Sequence, residues 1–169
     1  TINLSGTSKN LSVSGTTTIN TNGITTSGTQ TYSGAVTLGA GTTLTTTNSQ
    51  ITFGSTVDGT FGLTASVGTS EVEFDGIVGG VTGLGAIAIT GALDLDAAIA
   101  NATSLSVSTT SDIGADITTT GNITFTGNVN VSADVTVQSG SKTTYSTYTA
   151  YTVPTGVTAV SYTHLTLPT

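Results

Sequence analysis

The 169-residue chain has no cysteine, methionine, tryptophan or arginine, and Lys9 and Lys142 are its only lysines. Each absence removes a class of function. Without cysteine there is no disulfide framework, thiol nucleophile or zinc–thiolate site. With two cations against nine acids and a net charge of −7, the chain cannot neutralise a nucleic-acid backbone. Nor can it hold an anionic lipid surface through a polybasic patch. Enzymes that handle phosphates clamp them with arginine and lysine, which argues against that class too.

What the chain does have is threonine at roughly a quarter of its positions, and threonine, serine and glycine together at about half. So polar a composition suggests disorder, but disordered chains pair low hydrophobicity with high charge. Here only 7% of residues are charged, 36% are hydrophobic and the mean hydropathy is +0.26. The chain has apolar surface to bury. Apolar and small polar residues alternate in Leu11-Ser-Val13, Ile123-Thr-Phe125 and Val129-Asn-Val131, the period-two pattern of a half-buried strand. Gly, Asn-Gly and Ser-Gly interrupt these runs and supply turns. The best helical candidate, Ala97 to Ala102, is short and uncapped. The uncharged stretch from Gly76 to Leu93 approaches the length of a membrane span, but it is rich in glycine and copies a segment that contains Asp58, so strands are expected there.

The copy is an internal repeat. Residues 51–68 superpose without a gap on 72–89 at an offset of 21, matching Phe53 with Phe74, Val57 with Val78, Gly59 with Gly80, Leu63 with Leu84 and Ala65 with Ala86. One period earlier the same columns hold Tyr32 and Val36; one period later they hold Leu95, Ile99, Leu105 and Val107. A looser copy is read at Phe125 to Val129. A unit of this size cannot enclose a core alone, whereas stacked units bury their apolar faces in a shared column. The expected fold is all-β, a parallel β-solenoid in the form of a right-handed β-helix. About seven coils at the ~4.8 Å strand spacing give a rod on the order of 35 Å long. The competing arrangement is a β-sandwich.

The ends differ from the middle. From Lys142 the pattern changes, with Tyr145, Tyr148 and Tyr151 in succession. The expected division is a solenoid over 1–141, the truncated start of a second β module over 142–159, and a tail over 160–169. With no initiating Met, signal peptide or anchor in it, the sequence reads as an internal fragment.

The nine acids cluster. Glu71, Glu73 and Asp75 alternate with Val72 and Phe74, so the carboxylates point out where the apolar pair points in. One period on, Asp94 and Asp96 take the places of Glu73 and Asp75. Like charges ~5 Å apart cost only about 0.8 kcal/mol in bulk water, so a solvated acidic face is the plain reading. The sharper one is a calcium ladder of Glu73, Asp75, Asp94 and Asp96, since Ca²⁺ takes six to eight oxygens. No calcium-loop signature accompanies it, and no cofactor is otherwise expected. Paired acids also serve glycan hydrolases, but substrate-clamping Arg and Trp are absent, and no catalysis is expected. Thr-x-Thr pairs at Thr43, Thr45 and Thr47, at Thr118 and Thr120, and at Thr124 and Thr126 raise an ice-binding array. At the next period Thr45 and Thr47 give way to Ser66 and Gly68, which breaks it. Five glycosylation sequons, at Asn3, Asn10, Asn101, Asn122 and Asn130, are expected by chance in such a composition, with Asn serving coil corners instead.

The Phe-x-Gly/Ser-x-Val units and the run Gly121-Asn-Ile-Thr-Phe-Thr-Gly-Asn-Val-Asn-Val131 resemble bacterial β-strand-repeat proteins, large passengers akin to filamentous haemagglutinin and autotransporter adhesins. The run from Tyr151 to Thr158 resembles the opening strand of a small glycine-rich β module of bacterial surface proteins. The family resemblance implies an extracellular or cell-surface location and a structural or adhesive rod, non-catalytic and monomeric. Its ligand would be a host-cell, surface or glycan group, with no nucleic acid and no membrane span in this segment. A phage tail fibre or spike, which would trimerise, is the alternative. The last ten residues, from Val160, resemble a translated sequencing-library adaptor. On that reading the source is a metagenomic contig, natural sequence ends near Ala159, and His164 has no role.

Overall fold

In a computed structural model, which describes residues 2–140 and the backbone of 143–145, eighteen strands run from Ile2–Leu4 to Thr143–Tyr145. Every strand pairing is parallel. The chain winds as a β-solenoid of about seven turns, about 20 residues each. There is no helix among the described residues; Ala97 to Ala102 runs into the strand Ile99–Val107. Among the described residues no helix is long and apolar enough to cross a membrane, and Gly76 to Leu93 enters the strand Leu84–Leu95.

Each turn contributes to three faces. The first stacks Leu11–Val13, Gln30–Tyr32, Ile51–Phe53, the ends of Leu63–Phe74 and Leu84–Leu95, then Ser111–Ile113 and Val129–Val131. The second stacks Thr17–Ile19, Val36–Leu38 and Val57–Asp58, passes through single bridges at Val78 and Ile99, and continues with Ile117–Thr119 and Val137–Ser139. The third runs from Ile2–Leu4 through Gly23–Thr26, Thr42–Thr45 and the openings of the two long strands to Ile123–Phe125. The backbone of 143–145 pairs with Ile123–Phe125 and adds one more strand to this face. The expected second module over 142–159 and the tail over 160–169, including His164, otherwise lie outside the described residues.

The inward side chains form continuous columns. On the first face Tyr32, Phe53, Phe74 and Leu95 follow one another in register, with rings stacked at 5.3 and 5.1 Å. Phe53, Phe74 and Leu95 are fully buried, and each stacked pair contributes roughly 1 kcal/mol beyond its area burial. Val36, Val57, Val78 and Ile99 form the second column. These are the ladders that the 21-residue offset predicts.

On the third face the offset fails, and the reason is local. Leu63 pairs with Ile87, not Leu84, and Ala65 with Ile89, not Ala86. The next step is short: Ile87 pairs with Leu105 and Ile89 with Val107. A turn of 24 residues is thus followed by one of 18, so a self-alignment at 21 finds Leu105 correctly and misplaces the turn between. The surplus lies in the loop between Val78 and Leu84, and the register returns to 21 through an irregularity between Ser66 and Glu71. Phe125 is likewise reassigned. It stacks on Val107 on the third face and does not extend the Phe53–Phe74 column.

Polar groups inside the rod are mostly paired. Gln30, fully buried, donates to the Ile24 and Thr45 carbonyls at 3.2 and 3.0 Å and accepts from the Tyr32 hydroxyl at 3.0 Å. Burial pushes the Tyr32 phenol pKa up. Ser111 is an exception. It stands where Val72 and Leu93 stand in the turns before it, and its hydroxyl is buried without a partner. At the N-terminal end the core column opens into an apolar cavity of about 380 Å³ lined by Ile2, Leu11, Val13, Ile19, Ile24 and Tyr32.

Corners are fixed between turns. Asn10 Oδ1 accepts the Thr29 N–H at 3.0 Å and Asn48 Oδ1 the Thr69 N–H at 3.1 Å, the corner role expected of asparagine. At Gly76 a Cβ would overlap the backbone of Ser55 in the turn below, so only glycine allows that approach.

Candidate functional site

The outward positions along the first face hold the densest group of charges among the described residues. Val72 and Phe74 are fully buried, which turns Glu71, Glu73 and Asp75 outward by strand alternation. Glu73 pairs with Asp94, and Asp94 with Asp112 one turn further on. Asp96 follows Leu95 as Asp75 follows Phe74, and its N–H donates to the Phe74 carbonyl. The predicted stacking of Glu73 on Asp94 and of Asp75 on Asp96 is therefore present, and Asp112 extends the first of these ladders to three turns. A fixed 21-residue period misses Asp112, because Asp94 to Asp112 is a step of 18; a period allowed to shorten would find it.

The ladder ends on neutral partners. On one side the Gln50 amide donates to Glu71 Oε1 at 3.1 Å and to Glu73 Oε2 at 3.0 Å, and the Thr52 hydroxyl donates to Glu73 Oε2 at 3.0 Å. On the other, Asn130 Nδ2 donates to Asp112 Oδ2 at 3.1 Å, while Asp112 Oδ1 is buried without a hydrogen-bond partner. Asp94, between the two, is held above the usual carboxylate range at about 6. Partial burial is the largest cause, followed by the charges of Asp96, Glu71, Asp112 and Glu73.

Of the four carboxylates expected to form a calcium ladder, Glu73, Asp75 and Asp96 bring one oxygen each within 4.8 Å of one another. Asp94 is not in that trio; it faces Glu73 and Asp112 along the column. Three oxygens are fewer than the six to eight of a calcium shell, so water or further protein oxygens would have to complete any such site.

The threonine pairs lie elsewhere. Thr43 and Thr45 stack on Thr64 and Ser66, and these on Ala88 and Thr90; Ser106 and Thr124 continue the first of those columns. It is continuous in small residues but not in threonine. Of the sequon asparagines, Asn10 clamps a corner and Asn130 holds Asp112; Asn3, Asn101 and Asn122 are exposed.

One surface feature has no counterpart in the sequence expectations. Phe61, Ile77 and Val81 are large apolar residues exposed at 43%, 45% and 90%, all on the corners flanking the short strand Val57–Asp58 and the Val78 bridge. The signal was available in the sequence: these residues fall outside both inward columns of the repeat.

The fold and face together define a β-solenoid repeat protein with one acidic side. Compared with protein-family models, curated proteins and solved structures, the chain gives no match.

Proposed function

We propose that the chain is a structural and adhesive rod segment of a large secreted or surface-anchored bacterial protein, and that it carries out no catalysis. The observation that supports this reading best is the uninterrupted parallel stacking of about seven turns under a surface of hydroxyls and small residues. Threonine and serine keep good β-propensity while presenting hydroxyls to water, so such a rod grows by repetition without exposing apolar columns. Each added turn lengthens it by about 4.8 Å, and its service is to hold other groups at a distance. The resemblance of the repeat units to haemagglutinin-like passengers supports the extracellular setting.

Multi-angle light scattering with small-angle X-ray scattering tests the reading. A monomeric, elongated particle is expected. A stable trimer would replace it with the fibre or spike alternative, and turnover of a glycan by the purified chain would overturn the non-catalytic assignment.

A further inference from the structure

The rod is coated with hydroxyls, yet of the four large apolar side chains exposed among the described residues, three, Phe61, Ile77 and Val81, lie on two successive turns. The loop that carries Val81 is built rather than slack. Asp58 Oδ1 accepts the N–H groups of Val81 and Thr82 at 2.8 and 2.9 Å. Gly79 N donates to Val57 O at 2.8 Å and Gly59 N to Thr82 O at 3.3 Å. Ile77 lies across the loop, since a Cβ on Gly80 would come within 2.9 Å of Ile77 Cγ2. The next turn has no such loop: Val78 pairs with Ile99 and Leu84 with Ala102, so five residues on one turn face two on the other. The loop therefore stands out from the rod with Val81 at its tip, fixed in place before any partner arrives, which lowers the ordering cost of binding.

The charge beside the loop points to the same kind of partner. Asp75 lies two residues before Ile77, and its carboxylate groups with those of Glu73 and Asp96. Asp94 and Asp112 continue the acidic face. Among the described residues the one lysine, Lys9, sits in the first turn, far from this corner. An exposed apolar tip beside uncompensated carboxylates complements a cationic, apolar surface and repels an acidic one.

We propose that the patch made by Ile77 and the Val81 loop, with Phe61 on the turn below, is a docking site for a partner segment that carries apolar side chains flanked by lysine or arginine. The apolar residues seat against the loop while the basic ones lie along Asp75 and Asp96. This goes beyond the rod reading and does not depend on it, because a stalk needs no such patch.

The test is a fluorescence-anisotropy titration of the chain with a labelled synthetic peptide of alternating leucine and lysine, against a labelled oligolysine of equal charge. The leucine–lysine peptide should bind at least tenfold more tightly. Val81→Ser and Ile77→Ser should bring its affinity down to that of oligolysine, whereas D75N/D96N should weaken both peptides. Val81 is 90% exposed, so its replacement leaves the core intact, as circular dichroism would verify. Equal binding of the two peptides, or full affinity in V81S and I77S, overturns the proposal. So does absence of binding, or a dimer of the free chain that V81S dissolves, which would make a second copy the occupant.

Discussion

On the first face the outward column reads Ser12, Thr31, Thr52, Glu73, Asp94, Asp112, Asn130. On the third it reads Gly23, Thr43, Thr64, Ala88, Ser106, Thr124. Inside, the two faces are alike: Ile51, Val72 and Leu93 stack on one, Leu63, Ile87 and Leu105 on the other, all nearly or fully buried. Inward columns stay largely apolar, interrupted by Gln30 and Ser111, because each turn shares its core with the next. Outward columns are free to change from turn to turn, so whatever distinguishes this rod from a bare spacer is written there. The outward column of the first face carries carboxylates; that of the third carries only hydroxyls, methyls and hydrogens.

The largest effect should come from a change that ignores the difference. Phe74→Ala removes the last ring of the aromatic stack beneath the acidic face, and in urea denaturation it should cost about 3–5 kcal/mol. A cost under about 1 kcal/mol would mean the column is not packed as described. Ser111→Val comes next. It replaces a buried, unpaired hydroxyl with the residue type of its column, and a gain of about 1 kcal/mol is expected.

Charge then separates the faces. The folded-state pKa of Asp94 is raised from 3.8 to about 6, so the folded rod holds that proton more tightly than the unfolded chain. Its contribution to stability is fully present below pH 3.8 and lost as pH rises through about 6. Two pKa units correspond to about 2.7 kcal/mol without screening, and at this largely open position solvent reduces that to about 1 kcal/mol or less. Thermal melts should therefore give a higher Tm at pH 5 than at pH 7.5 from this group, and Asp94→Asn should raise the Tm at pH 7.5 while flattening the pH dependence. An unchanged profile in D94N would show that the ladder does not load this residue. On the third face Thr64→Ser should stay within about 0.5 kcal/mol and leave the pH profile alone, the smallest effect of the set.

The Tyr32–Phe53–Phe74–Leu95 and Val36–Val57–Val78–Ile99 columns follow directly from the 21-residue offset, and with them the solenoid and the pairing of Glu73 with Asp94. The third-face register between Leu63 and Leu105 does not, because the loop around Val81 lengthens one turn and the next is short by the same amount. Pattern matching sees only their total. Asp112 is hidden by the same shortening. The pinning of Val81 by Asp58 cannot be read from any period, since it depends on a backbone loop folding back over the turn beneath it.

Distances between paired electron spins decide whether the chain winds as stacked turns. With no native cysteine, spin labels can be placed in pairs on the outward column of the second face, from Thr18 to Thr37, Ala100, Thr118 and Gln138, which occupy successively higher turns. The solenoid predicts distances that rise by about 4.8 Å per turn, reaching roughly 24 Å from Thr18 to Thr118 and 29 Å to Gln138 after allowance for the label arms. Distances that fall back or alternate along the series, as in a sandwich, would contradict it.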